Sequence, residues 1–331
     1  MCIISDANGF SHPVPTTREG DCVFFQTSGI EVSPWVPPLV ACAISFFTSM
    51  GGVSGAFLLL PFQISFLGYT GPSVSATNQL FNVVAIPSGV YRYCKEGRMV
   101  WPLAWGVIAG TLPGVFIGAL VRVAWLPDPD HFKLFAAAVL LWIGLKMARD
   151  LMKASSASDR SMRLDRASGE RSERGGGAPP PVVRVTRLTF KRMGYTFNDE
   201  AFDVSLWGIL LLSFLVGIVG GVYGIGGGAI IAPFLVTFFG LPVYTVAGAA
   251  LMGTFVTSVA GVAFYQAIAP LYPNLSVAPD WLLGVLFGLG GMVGMYLGAR
   301  FQKFVPARLI KGMLCAILLL TALKYAAAFF L

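Results

Sequence analysis

Three groups of residues have types and spacings that could do chemistry. The first is a set of glycine clusters inside apolar stretches: Gly51-Gly52 with Gly55, and Gly220-Gly221, Gly224 and Gly226-Gly227-Gly228. Glycine weakens a helix by about 1 kcal/mol relative to alanine, so helices are expected to break there and restart close by. The first amides of the restarted helix have no partner within it and carry the positive end of its dipole. Without a Cβ in the way, an anion can approach them. Close packing of helices through small residues would use the same glycines. The second group is neutral and polar: Thr77, Asn78, Gln79 and Asn82, with Thr254, Thr257 and Ser258 later in the chain. Asn78 and Asn82 are four apart and share a helix face. Such groups either bond neighbouring helices or hold a polar solute. The third is Ser54 in Gly52-Val53-Ser54-Gly55, a pattern seen around intramembrane serine nucleophiles. A serine nucleophile needs a base, and the candidate, His131, begins another apolar segment at its water boundary.

The elements that must carry these residues are membrane helices. The chain has 331 residues, 56% hydrophobic and 12% charged, with a net charge of +7; soluble domains carry about 25% charge. No charge occurs from Val32 to Tyr91, and from Val204 to Ala299 there is only Asp280. Water-soluble and disordered chains are excluded by that pattern. A β-barrel would need short alternating segments instead. Residues 1–31 mix acidic, basic and polar residues and do not read as a signal peptide. The basic excess falls in loops, so it argues for membrane orientation and not for nucleic-acid binding. No metal or cofactor is expected, since Cys2, Cys22, Cys42, Cys94 and Cys315 show no paired spacing.

Four apolar segments recur on each side of a polar centre: 35–67, 74–93, 100–124 and 131–150, then 205–239, 244–267, 280–300 and 306–330. The expected organisation is a polar tail over 1–34, a membrane repeat over 35–150, a basic cytoplasmic loop over 151–203 and a second repeat over 204–331. Residues 154–180 are rich in Ser, Arg, Gly and Pro and read as disordered, while alternation within 182–202 suggests a short strand or an interfacial segment. The repeats align at an offset of 172 residues, placing Gly52 on Gly224, Gly55 on Gly227, Pro61 on Pro233 and Gly89 on Gly261. Further on the offset is 180, matching Gly110, Gly114 and Gly118 with Gly290, Gly294 and Gly298. Basic residues cluster after the second segment in the first repeat (Arg92, Lys95, Arg98) and after the third in the second repeat (Arg300, Lys303, Arg308, Lys311). Oppositely oriented copies produce that shift. Inversion requires an odd number of crossings per copy. It follows if the first segment is a re-entrant hairpin whose arms, of about 14 residues or 21 Å each, are too short to cross. A kinked full crossing would instead leave the copies parallel. The fold class is therefore all-α and polytopic: two inverted repeats, each with a broken first helix and three transmembrane helices.

The stretch GGVYGIGGGAIIAPFLVTFFGLP (220–242), Ala76-Thr77-Asn78 and Tyr91-Arg92-Tyr93 resemble the TauE/SafE, or sulfite exporter, family of bacterial permeases. The resemblance spans about residues 35–150 and 200–330. It implies a multi-pass protein of the bacterial inner membrane, with the central loop cytoplasmic, that carries small sulfur-containing anions such as sulfite or organosulfonates. Its partners would be that anionic solute and the lipid bilayer; a homo-oligomer stays open, and no enzyme activity is implied. Ala249-Ala250 stand where many members have hydroxyls, which shifts the expected contact to Thr254. In the first repeat the residues expected to hold the solute are Gly52, Ser54, Gly55, Thr77, Asn78, Gln79 and Asn82. In the second they are Gly224, Gly226, Gly227, Gly228 and Thr254. Alternating access between the repeats is the expected mechanism. An anion channel on the same fold, or an intramembrane hydrolase using Ser54, are the alternatives.

Overall fold

The computed structural model describes residues 22–50, 54–95, 99–152, 184–189, 191–197, 200–301 and 307–330. Gly52, the N-terminal residues 1–21 and the loop 154–180 lie outside the described residues. A short antiparallel hairpin, β1 (Val23–Phe25) and β2 (Ile30–Val32), precedes the helices. The first half then comprises α1 (Val36–Met50), α2 (Ala56–Phe66), α3 (Ser73–Ala85), α4 (Pro87–Lys95), α5 (Trp101–Ala124) and α6 (Pro129–Met152). The second half comprises α7 (Leu206–Tyr223), α8 (Gly227–Phe239), α9 (Val243–Ile268), α10 (Trp281–Phe301) and α11 (Ala307–Phe330). Among the described helices α5, α6, α7, α9 and α10 are long and apolar enough to cross a membrane.

Local chemistry sets several boundaries. Pro102 lies in the first turn of α5, where its missing amide would be unpaired anyway. Ser205 caps α7 by accepting from the Gly208 amide at 3.3 Å, and Asp280 caps α10 by accepting from Leu283 N at 3.1 Å. The second apolar segment of the first half is divided at Ile86-Pro87, because proline lacks the amide that would continue the ladder. Its counterpart α9 has no proline after Pro242 and runs unbroken.

The fold is helical, as expected, with two small sheets beside the helices. The stretch 182–202, expected as a short strand or interfacial segment, carries most of a three-stranded antiparallel sheet that runs on to Ser205: β3 (Arg184–Leu188), β4 (Arg192–Phe197) and β5 (Glu200–Ser205). Met193, Tyr195 and Phe197 of β4 are buried, and the Tyr195 hydroxyl meets Thr245 Oγ1 of α9 at 2.8 Å.

Two helix pairs form the broadest contacts, α5 with α7 and α1 with α10. Both are built on glycine at every fourth position. A Cβ at Gly110, Gly114 or Gly118 would stand 2.7, 2.4 or 2.3 Å from the carbonyl oxygens of Leu210, Phe214 and Ile218. At Gly290, Gly294 or Gly298 it would stand 2.0, 2.2 or 2.3 Å from those of Pro38, Cys42 and Phe46. The two sets are the same contacts under the offsets of 180 and 172 in the sequence. Within each pair the numbers rise together, so the helices run parallel.

Other contacts fix the remaining directions. α3 is parallel to α10, with Leu80 and Val84 on Gly284 and Gly288, and antiparallel to α9, with Gln79 on Gly261 and Tyr93 of α4 on Gly248. α5 is parallel to α9, with Val107 on Gly253 and Phe116 against Phe264. α8 doubles back along α7: Gly227 lies on Gly217, and Phe239 at its end lies on Gly208 near the start of α7. α2 is likewise antiparallel to α3, with Ser54 bonded to Asn82 and Ala56 to Asn78, hence antiparallel to α1. The arms are unequal, however. α7 has 18 residues, about 27 Å at 1.5 Å per residue, and exceeds the expected arm because Ser205 starts it early.

Candidate functional site

Two chain reversals, at Ser54-Gly55 and at Gly224–Gly226, come together against the middle of α3. In the second, Gly224 ends α7 with φ +77° and its amide donates to Gly220 O at 2.9 Å. Gly226, with φ +71°, then precedes α8 and no side chain caps it. Gly227 lies on Thr111, near the middle of α5, and Gly226 lies on Thr254 and Ser258, near the middle of α9. The uncapped start of α8 is therefore held halfway along two long helices.

Asn82 bridges the two reversals. Its Oδ1 accepts from Ser54 Oγ at 3.1 Å, and its Nδ2 donates to Ile225 O at 3.0 Å. Ser54 Oγ also accepts from the Ala56 amide at 3.3 Å, capping α2. Asn78, one turn away, donates to Ala56 O at 3.1 Å and accepts from Gln63 Nε2 at 3.4 Å. Ser75 Oγ donates to Val222 O at 2.9 Å, while the Tyr223 hydroxyl donates to Phe57 O at 3.3 Å. Ser75, Asn78, Gln79 and Asn82 are fully buried.

The glycines of this region also serve close packing. A Cβ at Gly228 would stand 2.0 Å from Ala250 O, one at Gly227 2.5 Å from Thr111 Cγ2, and one at Gly55 2.6 Å from Ser45 Oγ. Thr254 Oγ1 donates to Ala250 O at 2.9 Å. Of the residues singled out in the sequence, Ser54, Gly55, Asn78, Gln79, Asn82, Gly224, Gly226, Gly227, Gly228 and Thr254 gather around the reversals. Thr77 does not. It lies on another face of α3, where its Oγ1 meets the Tyr69 hydroxyl at 3.0 Å and accepts from Asp280 N at 2.9 Å. The cluster at the reversals contains amides, hydroxyls and main-chain dipoles, without a carboxylate, ammonium, guanidinium or imidazole among its described members. Ser54 donates to a neutral amide, and His131 is exposed beside Asp128 at 3.7 Å; among the described residues no base is bonded to the serine, as a nucleophile would require.

Arg122, near the end of α5, is fully buried. Nη2 donates to Thr70 O at 2.9 Å, Nη1 donates to Leu126 O, and the guanidinium lies 3.7 Å from the centre of the Phe132 ring. Its position was legible in part: it continues the four-residue stripe of Gly106, Gly110, Gly114 and Gly118. Arg122 thus ties two loops at one end of α5. Arg122→Met is expected to destabilise the fold by about 2–3 kcal/mol, the range for hydrogen bonds from a charged donor. Arg122→Lys should restore little, since one ammonium cannot replace a planar fork on two loops and a ring. Unfolding midpoints of the three purified proteins check both.

At the same end Asp280 holds the β1–β2 hairpin, its carboxylate accepting from Ser28 N at 3.1 Å and Ser28 Oγ at 3.0 Å. Lys146 lies within α6, its ammonium 4.0 Å from the Phe234 ring centre.

Comparisons with known proteins place the chain among membrane protein families. A relative, the probable membrane transporter protein YdhB of Bacillus subtilis (strain 168), is 29% identical over 115 residues, which is 35% of this chain and 44% of that protein. The chain therefore aligns with less than half of that relative's length. No solved structure matches. The family model described as sulfite exporter TauE/SafE, by contrast, matches residues 38–325, taking in both hairpins, the polar face of α3 and the glycine-paired helices. With most of its length accounted for in this way, the chain belongs to the sulfite exporter TauE/SafE family.

Proposed function

We propose that the protein is a secondary transporter of small sulfur-containing oxyanions, such as sulfite or organosulfonates, working by alternating access between inverted repeats. The observation that carries this reading is the meeting of two chain reversals around Asn82, with the uncapped start of α8 held at mid-length of α5 and α9. A helix start offers several N–H groups and about half a positive charge to an anion. Sulfite and sulfonate oxygens accept several such bonds at once. Neutral donors suit a carrier, because a solute bound mainly by dipoles can leave again.

The directions of the helices support the inversion. α1, α3 and α10 run one way; α5, α7 and α9 run the other. Each helix of the first half therefore opposes its counterpart in the second, as in transporters built on inverted repeats. In this reading the basic residues before α5 and before α7 share the cytoplasmic side of a bacterial inner membrane, and the central loop is cytoplasmic.

The reading is tested by flux of labelled sulfite and sulfonates into proteoliposomes. Gly227→Leu, which drives a side chain into Thr111, and Asn78→Leu are each expected to lower flux at least tenfold in correctly inserted protein. Parental flux in both would remove the site from this place. Saturable flux with counterflow is expected of a carrier, and linear flux would favour a channel.

A further inference from the structure

We infer that Gln79 sets which oxyanions are accepted, by selecting solutes that bring an O–H or N–H donor along with their acceptor oxygens. The inference rests on the anion site proposed above and concerns its selectivity.

Ser75, Gln79 and Asn82 are spaced four and three apart and occupy one face of α3. The outer two are engaged with the reversal between α7 and α8, Ser75 with Val222 O and Asn82 with Ile225 O. Gln79 sits between them, fully buried, and neither its Oε1 nor its Nε2 has a hydrogen-bond partner among the described residues. One turn along α9 from the glycine it touches is Ser258, whose hydroxyl is also buried and unpartnered. That hydroxyl lies 2.8 Å from where a Cβ on Gly226 would be, so it faces the residue preceding α8. The Ser258 hydroxyl thus faces the residue before the uncapped helix start, and the Gln79 amide lies against α9 one turn away from it.

Packing alone does not require an amide at position 79. Gln79 lies against Gly261, and a Cβ there would stand 1.8 Å from Oε1. The same contact recurs in the other half under the offset of 172: Leu251 lies against Gly89, with Cδ2 2.7 Å from the corresponding Cβ position. Leucine therefore fills this space in one half, and the first half carries instead a group whose burial without partners is costly.

The two ends of the amide ask for different things. Nε2, the Ser258 hydroxyl and the amides of α8 can all donate to oxyanion oxygens. Oε1 can only accept, and a bare oxyanion has nothing to give it. A monoanion with a hydroxyl or a protonated oxygen satisfies every group. Such a solute also brings a single net charge, which suits a site with no cationic side chain.

The test compares ethanesulfonate with 2-hydroxyethanesulfonate, which differ by one hydroxyl, in equilibrium binding to the purified full-length protein. The parent is expected to bind the hydroxylated sulfonate about tenfold more tightly, the effect of one buried hydrogen bond. Gln79→Leu, which copies Leu251, should weaken the hydroxylated ligand more than the plain one and bring the ratio near one; Gln79→Met serves if that variant does not fold. Equal binding of both ligands by the parent, or a preference that survives Gln79→Leu, overturns the inference and leaves the anion site standing. Binding of neither sulfonate or sulfite by the parent overturns the site itself.

Discussion

Gly224→Ala is expected to abolish transport and to lower the unfolding midpoint more than the same change at any other described positive-φ glycine with free space around it. Two costs combine. Gly224 has φ +77°, a conformation that costs an L-residue about 1–2 kcal/mol. Its Cβ would also stand 2.3, 2.6 and 2.8 Å from the O, Cα and C atoms of Ser75. These are backbone atoms of α3 and cannot rotate aside. α3 would have to leave the end of α7, pulling apart the Ser75–Val222 hydrogen bond and misaligning Asn82 with Ile225. Overpacking of this kind adds about 1–3 kcal/mol. The control is Gly240→Ala. Gly240 has φ +64°, yet nothing lies within 4 Å of its Cβ position, so it isolates the backbone cost. Melting curves of the two variants, measured side by side in detergent, give the contact cost by difference. Equal midpoints would show that α3 does not depend on this close approach.

Much of this arrangement was legible in the sequence, for reasons that the structure makes plain. The segment 100–124 became α5 and 280–300 became α10, because long apolar runs with charge only near their ends leave few alternatives. Glycine clusters between prolines located the chain reversals. The offsets of 172 and 180 foretold which glycines are equivalent. They did not reveal the partners, since a four-residue stripe says only that something packs closely on it; that Gly114 meets Phe214 while Gly294 meets Cys42 is a tertiary fact. The same limit applies to polar groups. Asn78 and Asn82 share a face, as their spacing required, and both turn to the first reversal. Thr77, adjacent in sequence, points about 100° away around the helix and joins Tyr69 and Asp280 instead. Arg122 stands near the end of an apolar run, which by itself says nothing of its burial. Its burial comes from Thr70, Leu126 and Phe132, which only folding brings to it.

The reciprocal contacts also say how the site is built. If either hairpin were shifted along its glycine-paired partner by one turn, its reversal would leave the level of Asn82. Helices locked at contacts as close as those of Gly118 and Gly298 resist such a shift, so each half fixes the other half's reversal. Asn82 sits where the two reversals so fixed meet, bonded to Ser54 of one and Ile225 of the other.

That position makes Asn82 the side chain with the largest expected effect. Asn82→Leu removes the acceptor for Ser54 and the donor for Ile225 O together. Each buried group left unpaired costs about 1–3 kcal/mol, so destabilisation of about 2–6 kcal/mol and complete loss of flux are expected. Ser54→Ala alone should cost less, because the Asn82–Ile225 bond survives. The double variant should be less harmful than the sum of the two, since both single changes delete the same Ser54–Asn82 bond; a shortfall of about 1 kcal/mol is typical for residues in one network. Asn82→Asp tests the charge of the site. It keeps the shape and an acceptor for Ser54, loses the donor to Ile225 O, and places a carboxylate between two reversals proposed to receive an anion. Flux of labelled sulfite in inserted, folded Asn82→Asp should fall below detection, because like charges repel strongly where no water screens them. Sulfite flux near the parental rate in that variant would mean that the anion passes elsewhere and that Asn82 is a tie between helices alone.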